Sequence, residues 1–182
     1  VGAVEGQTAG GQALTINTSG ATTLAGTVGH TTALASLTIN SGGSSALNGG
    51  EIRTAGLQSF GDAATLGANL LLTTTANGNI SFGSTLNGSK DLSLTAGGGN
   101  ITFAGAVGGI TRLGTIDINS AAAVTTAAVT AAALNQDAGT GTTTLSGAVN
   151  TNMGAGVTLT GTHLAINAAV TTTNGGVVTL NE

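Results

Sequence analysis

Four aspartates are the residues of this sequence best suited to acid–base chemistry, and their spacing argues against a shared site. Asp62, Asp91, Asp117 and Asp137 are separated by 29, 26 and 20 residues. Hydrolysis or elimination on a polysaccharide needs two or three carboxylates, or a carboxylate with Arg or Lys, on one face. In a chain of repeated units, residues meet when they recur at one phase, and these steps share none. All four are read as structural or solvent-facing, no catalytic residue is assigned, and the chain is not expected to be an enzyme. Asp117, between Ile116 and Ile118, is expected to point outward by strand alternation. Arg112, in the preceding turn, is expected to pair with a neighbour at the surface.

His30 follows Gly29 in a turn and His163 precedes Leu164. Neither has a second His or Cys at ligand spacing, so no metal site is expected and both are read as solvated. Gly139-x-Gly141 and Gly154-x-Gly156 lack the third glycine of a dinucleotide loop. No Gly-x-Ser-x-Gly elbow and no calcium-binding nonapeptide occurs, so no cofactor is expected. Asn-x-Ser/Thr matches at Asn17, Asn79, Asn87 and Asn100 are what chance gives in this composition. Thr runs at 73–75, 142–144 and 171–173 raise an ice-ordering face as an alternative. Their spacings of 69 and 29 do not place a Thr pair at the same phase in every coil.

The chain that carries these groups has a composition unusual for a globular surface. Only 5% of the 182 residues are charged, with three cations against seven carboxylates, where about a quarter is ordinary. Mean hydropathy is +0.37. Solubility therefore rests on Thr, Ser, Asn and Gln, or on assembly. Leu, Ile and Val recur throughout, unlike a disordered chain. Three Phe and no Trp or Tyr imply a thin core of aliphatics and Ala. Pro is absent, so every residue can donate to a hydrogen-bonded ladder, and the absence of Cys removes any disulfide framework. A pI near 4.8 without a basic patch speaks against nucleic acid or an anionic membrane as partner. No apolar run reaches the ~20 residues of a membrane span. The opening VGAVEGQTAGGQ has no signal-peptide pattern, so the chain is expected to be mature protein or an excerpt of one.

Periodicity is the strongest signal. Short apolar-x-apolar elements begin at Leu14, Leu37, Leu70, Leu92, Ile116 and Val157, at intervals of 23, 33, 22, 24 and 41. A start at Leu134 divides the last into 18 and 23. Phe60, Phe82 and Phe103 lie 22 and 21 apart, and Asn79 and Asn100 share a second phase. Alternation over three to six positions with β-branched residues and Gly or Asn punctuation reads as short strands. The Ala-rich stretch 120–134 admits a helix, but its Val and Thr residues favour strand. Like recurring on like at one period is the signature of a solenoid, not of hairpins. Stacked Phe60, Phe82 and Phe103 then form an aromatic ladder inside the tube, and Asn79 and Asn100 stack at the turn before it, passing amide hydrogen bonds along the axis.

The stretch 47–82 resembles the repeat of giant bacterial surface proteins related to filamentous haemagglutinin. The matching residues are Leu47-Asn48-Gly49-Gly50, Thr54, Gly56, Gln58, Phe60, Leu66-Gly67-Ala68 and Gly78-Asn79. The flanks, 1–13 and 116–182, match only in composition and strand pattern. The resemblance implies an extended right-handed β-helix, secreted through an outer-membrane partner, that holds an adhesive region away from the cell.

The sequence thus predicts an all-β fold: a right-handed parallel β-helix of about eight coils of roughly 22 residues, irregular near 41–69 and 116–134. Residues 1–182 are expected to form a single β-solenoid section, an excerpt or repeat unit of a longer chain or fibre. It is expected to be an extracellular or cell-surface stalk, structural or adhesive. Its partners are its own continuation or further copies at both ends, and a host or neighbouring cell surface. A carbohydrate-binding or carbohydrate-active β-helix is the principal alternative.

Overall fold

Thr, Val and Ile at alternate positions favour extended backbone, because a branched Cβ fits the pleat better than the helix. The computed structural model, which describes Val1–Glu182, contains 21 short strands and no helix. Every strand pair is parallel, so the chain winds as a β-solenoid whose coils stack directly on one another.

Three faces make up each coil. The first is an unbroken sheet of eight strands: Ala13–Ile16, Ser36–Ile39, Gln58–Phe60, Ile80–Phe82, Ile101–Phe103, Val124–Thr126, Thr142–Leu145 and His163–Ile166. Leu14, Leu37, Gln58, Ile80, Ile101, Val124, Thr143 and Leu164 are successive partners on it, at steps of 23, 21, 22, 21, 23, 19 and 21 residues. The second face carries Ala21–Leu24, Ser44–Leu47, Ala63–Leu66 and Leu86–Asn87, and continues through Val107 to Val129, Val149 and Val170. The third runs from Val4 and Val28 through Glu51–Thr54, Leu70–Thr74, Leu92–Thr95, Leu113–Ser120, the second half of Val129–Gln136 and Val157–Thr160 to Val178–Asn181.

Inward residues of the three faces form one continuous core of 33 buried side chains. At its centre the rings of Phe60 and Phe82 stack with centroids 4.8 Å apart, and those of Phe82 and Phe103 at 5.3 Å. Parallel pairing of Phe60 with Phe82 and of Phe82 with Phe103 fixes this offset, since one coil step equals one strand spacing. Below Phe103 the column continues as Thr126, Leu145 and Ile166.

The irregularity expected near 41–69 arose from a change of face. Leu37 lies on the first face and Leu70 on the third, and the first-face step from Leu37 to Gln58 is an ordinary 21. Four-residue strands with two inward apolar side chains look alike on every face, so the pattern encoded burial without saying which wall. A smaller variation does occur there: on the third face, a step of 24 from Val28 to Ile52 precedes one of 20 to Leu72.

Near 116–134 the coil is short, because Ile116 pairs directly with Leu134, 18 residues on. The Ala-rich stretch is strand: Val124–Thr126 and Val129–Gln136. The latter begins on the second face and ends on the third without a turn, pairing first with Val149–Thr151 and then with Val157–Thr160. Buried Ala131 and Ala133 let the backbone cut this corner. In the coil before, the corner is made by Gly108, whose φ of 68° places it where a Cβ would meet the Thr130 carbonyl.

Replacing Phe82 by Ala, with a ring lost between two others, is expected to cost about 3–5 kcal/mol, and Phe82→Leu under about 1.5. Guanidinium unfolding followed by circular dichroism measures both, and equal costs for the two variants would contradict a packed aromatic stack.

Candidate functional site

Corners are where a solenoid backbone loses its strand partners, and there polar side chains take over the axial bonding. The side-chain oxygen of Asn79 accepts the N–H of Asn100 at 2.8 Å, and that of Asn100 accepts the N–H of Ala123 at 3.1 Å. The two asparagines thus stack through side chain to backbone, where amide-to-amide bonds were expected. Each side chain substitutes for a missing ladder carbonyl, which needs only an oxygen pointing along the axis. Asn69 and Asp91 do the same at the corner entering the third face: Asn69 Oδ1 accepts the Asp91 N–H at 3.0 Å, and Asp91 Oδ1 accepts the Thr115 N–H at 2.8 Å.

The aspartates are distributed over these positions. Asp62 is buried between the first and second faces, accepting the Gly43 N–H at 2.7 Å and the Ser45 hydroxyl at 3.2 Å. Asp117 is half-exposed on the third face, and both it and Asp137 accept from the amide of Asn135. A shallow depression of about 220 Å³ is lined by Gly50, Asn69, Leu70, Leu71, Asp91 and Ser93. Of Asp62, Asp91, Asp117 and Arg112 it holds only Asp91, whose carboxylate is already engaged by Asn69 and Thr115. A glycosidase pair requires two carboxyl groups facing one bond, and this depression offers one. Phe60, Phe82 and Phe103 are buried, so no aromatic platform faces outward for a sugar ring.

Arg112 has no carboxylate partner. Its guanidinium crosses the cut corner of the next coil, donating to the Ala131 carbonyl at 2.6 Å and, a coil further, to the Asn150 carbonyl at 2.9 Å and the Asn150 side chain. A planar fork of donors suits three oxygens on two coils. Where the backbone omits a turn, Arg112 fills the space and ties three coils together.

His30 carries the one ion pair of the chain, Nδ1 to Glu51 Oε2 at 2.5 Å. Its ring is exposed but not simply solvated, because Glu51 lies one coil below. Glu5, one coil above, accepts the N–H groups of Thr31 and Thr32 at 3.1 and 2.9 Å. The hydrogen bond to Glu51, then its charge and that of Glu5, raise the His30 pKa above 6.5 against opposing desolvation and Arg53. The 21-residue interval between His30 and Glu51 was the available signal for this pair.

A further array spans the whole first face. Its outward positions Thr15, Thr38, Ser59, Ser81, Thr102, Thr125 and Thr144 are successive partners, ending at Ala165. Unlike the hydroxyls of Ser45, Thr54 and Thr74, which bond within the chain, those of this rank have no partner in it. The consecutive Thr runs of the sequence do not mark this rank, which has one hydroxyl per coil.

No family model, no curated protein and no solved structure matches this chain.

An NMR titration of the ring C–H signals is expected to place His30 above its ordinary value and to move it down in Glu51→Gln. Because the folded state holds this proton more tightly than the unfolded chain, its contribution to stability is complete below about pH 6.5. It is lost as pH rises through the elevated folded value. An unchanged His30 titration in the variant would contradict the pairing. Asp62→Ala, which leaves the half-buried Gly43 N–H and the buried Ser45 hydroxyl without their acceptor, is expected to cost about 1–3 kcal/mol in the same unfolding measurement.

Proposed function

We propose that this chain is a stalk section of a secreted bacterial surface protein, a structural or adhesive rod that extends by stacking further coils at its ends. The observation that carries this reading is the axial stack: strands pair in parallel with their counterparts one coil away, and a core of 33 buried side chains runs through the coils. The inward columns recur from level to level, so that Leu14 and Ile16 stand in the same columns as Leu164 and Ile166.

Further coils of the same chain, or a second copy, extend such a stack by repeating it. Coil-on-coil hydrogen bonds and stacked apolar layers make a stiff rod, which is what a stalk requires. The resemblance of residues 47–82 to haemagglutinin-type repeats supports an extracellular location and an adhesive role at a host or neighbouring cell surface.

Electron microscopy of the native material with mass-per-length measurement tests this. Eight coils of ~4.8 Å carrying 17.1 kDa correspond to about 4.5 kDa per nm of single rod. Rods of fixed length identify one long chain, and a length distribution identifies a polymer of copies. Compact particles without rods would overturn the proposal.

A further inference from the structure

The first face is an unbroken eight-stranded sheet without a charged strand residue, and the hydroxyls of its outward rank make no bond within the chain. None of its eight strands contains Asp, Glu, Lys or Arg, and His163 is its one titratable side chain. Charge gathers elsewhere: Glu51, Arg53 and Asp117 stand in third-face strands, and Lys90, Asp91 and Arg112 in the turns that enter them. Exposed Leu57 adds an apolar spot beside the hydroxyl rank.

We propose that the first face is a side-by-side docking surface for a second copy of this solenoid, with the hydroxyl ranks of the two rods facing each other. Period is the first argument. Hydroxyls repeat once per coil from Thr15 to Thr144 at the strand spacing of ~4.8 Å, and a second solenoid of the same kind matches that repeat along its whole length. Thr and Ser pairs across such a contact hydrogen-bond and pack methyl against methyl. Electrostatics is the second. Each copy has a net charge of −4, and first-face contact keeps the charged third faces apart, beyond a Debye length of roughly 8–10 Å once a rod's width intervenes. The second face is also uncharged, but it is interrupted in the fifth coil, where Val107 alone bridges and Ile110 projects at 88% exposure.

Area sets the strength. Eight strands at ~4.8 Å by three or four residues at ~3.3 Å give about 400 Å² per copy and about 800 Å² per pair. A stable specific interface buries about 1,200–2,000 Å². One section of this length therefore associates weakly and reversibly, and the contact grows with every added coil, so long rods pair where short ones barely do.

The chain has no Cys, so single cysteines report the contact cleanly. Thr102→Cys on the first face is compared with Thr158→Cys on the third, in protein of unchanged circular dichroism, using a short bismaleimide linker at rising concentration. Thr102→Cys is expected to give a linked dimer in several-fold greater yield, and adding Thr38→Lys and Thr125→Lys to abolish that excess. In the native material, paired rods carry about 9 kDa per nm, twice the ~4.5 of a single rod. Equal linking at both positions, or a strict monomer in sedimentation velocity at every concentration, overturns the proposal. So does retention of monomers on insoluble cellulose that Thr102→Lys removes, which would assign the face to a polysaccharide. Single rods of ~4.5 kDa per nm would overturn side-by-side pairing while leaving the stalk reading intact.

Discussion

Each coil's backbone bonds to the coils before and after it, and all else in this molecule follows from that axial registration. With parallel strands and no hairpins, an N–H finds its carbonyl some 17–26 residues away along the chain, in the neighbouring turn. A slip of one residue would turn Leu37 and Ile39 outward and Thr38 inward, so alternation and register enforce each other. Side chains are thereby placed above their own counterparts. That is why three phenylalanines scattered over 44 positions, from 60 to 103, become one stack.

Registration is hardest to keep at the corners, and the polar residues are spent there. Asn79, Asn100, Asn69 and Asp91 each lend an oxygen to an amide of the next coil. Asp62 does this from a buried position, and Arg112 does the converse, donating to carbonyls across a corner that the backbone omits. In a chain with 5% charged residues, Asp62, Asp91 and Arg112 act as substitutes for backbone, each at its own corner.

Much of the fold was legible because it is written as repetition. The common phase of Phe60, Phe82 and Phe103 and the β-branched content of the Ala-rich stretch both followed from period and propensity. Assignment of strands to walls did not, since LTIN at Leu14 and LLLT at Leu70 carry the same alternation on different faces. The site-level features divide in the same way. His30 and Glu51 are one coil apart and could be found by spacing, whereas Arg112 reaches Asn150 over 38 residues only because the intervening coil is short. A contact that depends on a missing turn has no periodic trace.

Core composition is uneven along the axis. Aromatic rings fill the third to fifth coils, and the same column narrows to Thr126 and then turns aliphatic at Leu145 and Ile166, with Ala131 and Ala133 lining the adjacent wall. Neighbouring coils hold one another in place, so the strength of a solenoid is a sum of nearest-neighbour terms. This rod accordingly has a polarity along its axis: at the sixth coil an aromatic segment meets an aliphatic one, and there the Arg112 clasp adds side-chain bonds to the backbone ladder that joins the two.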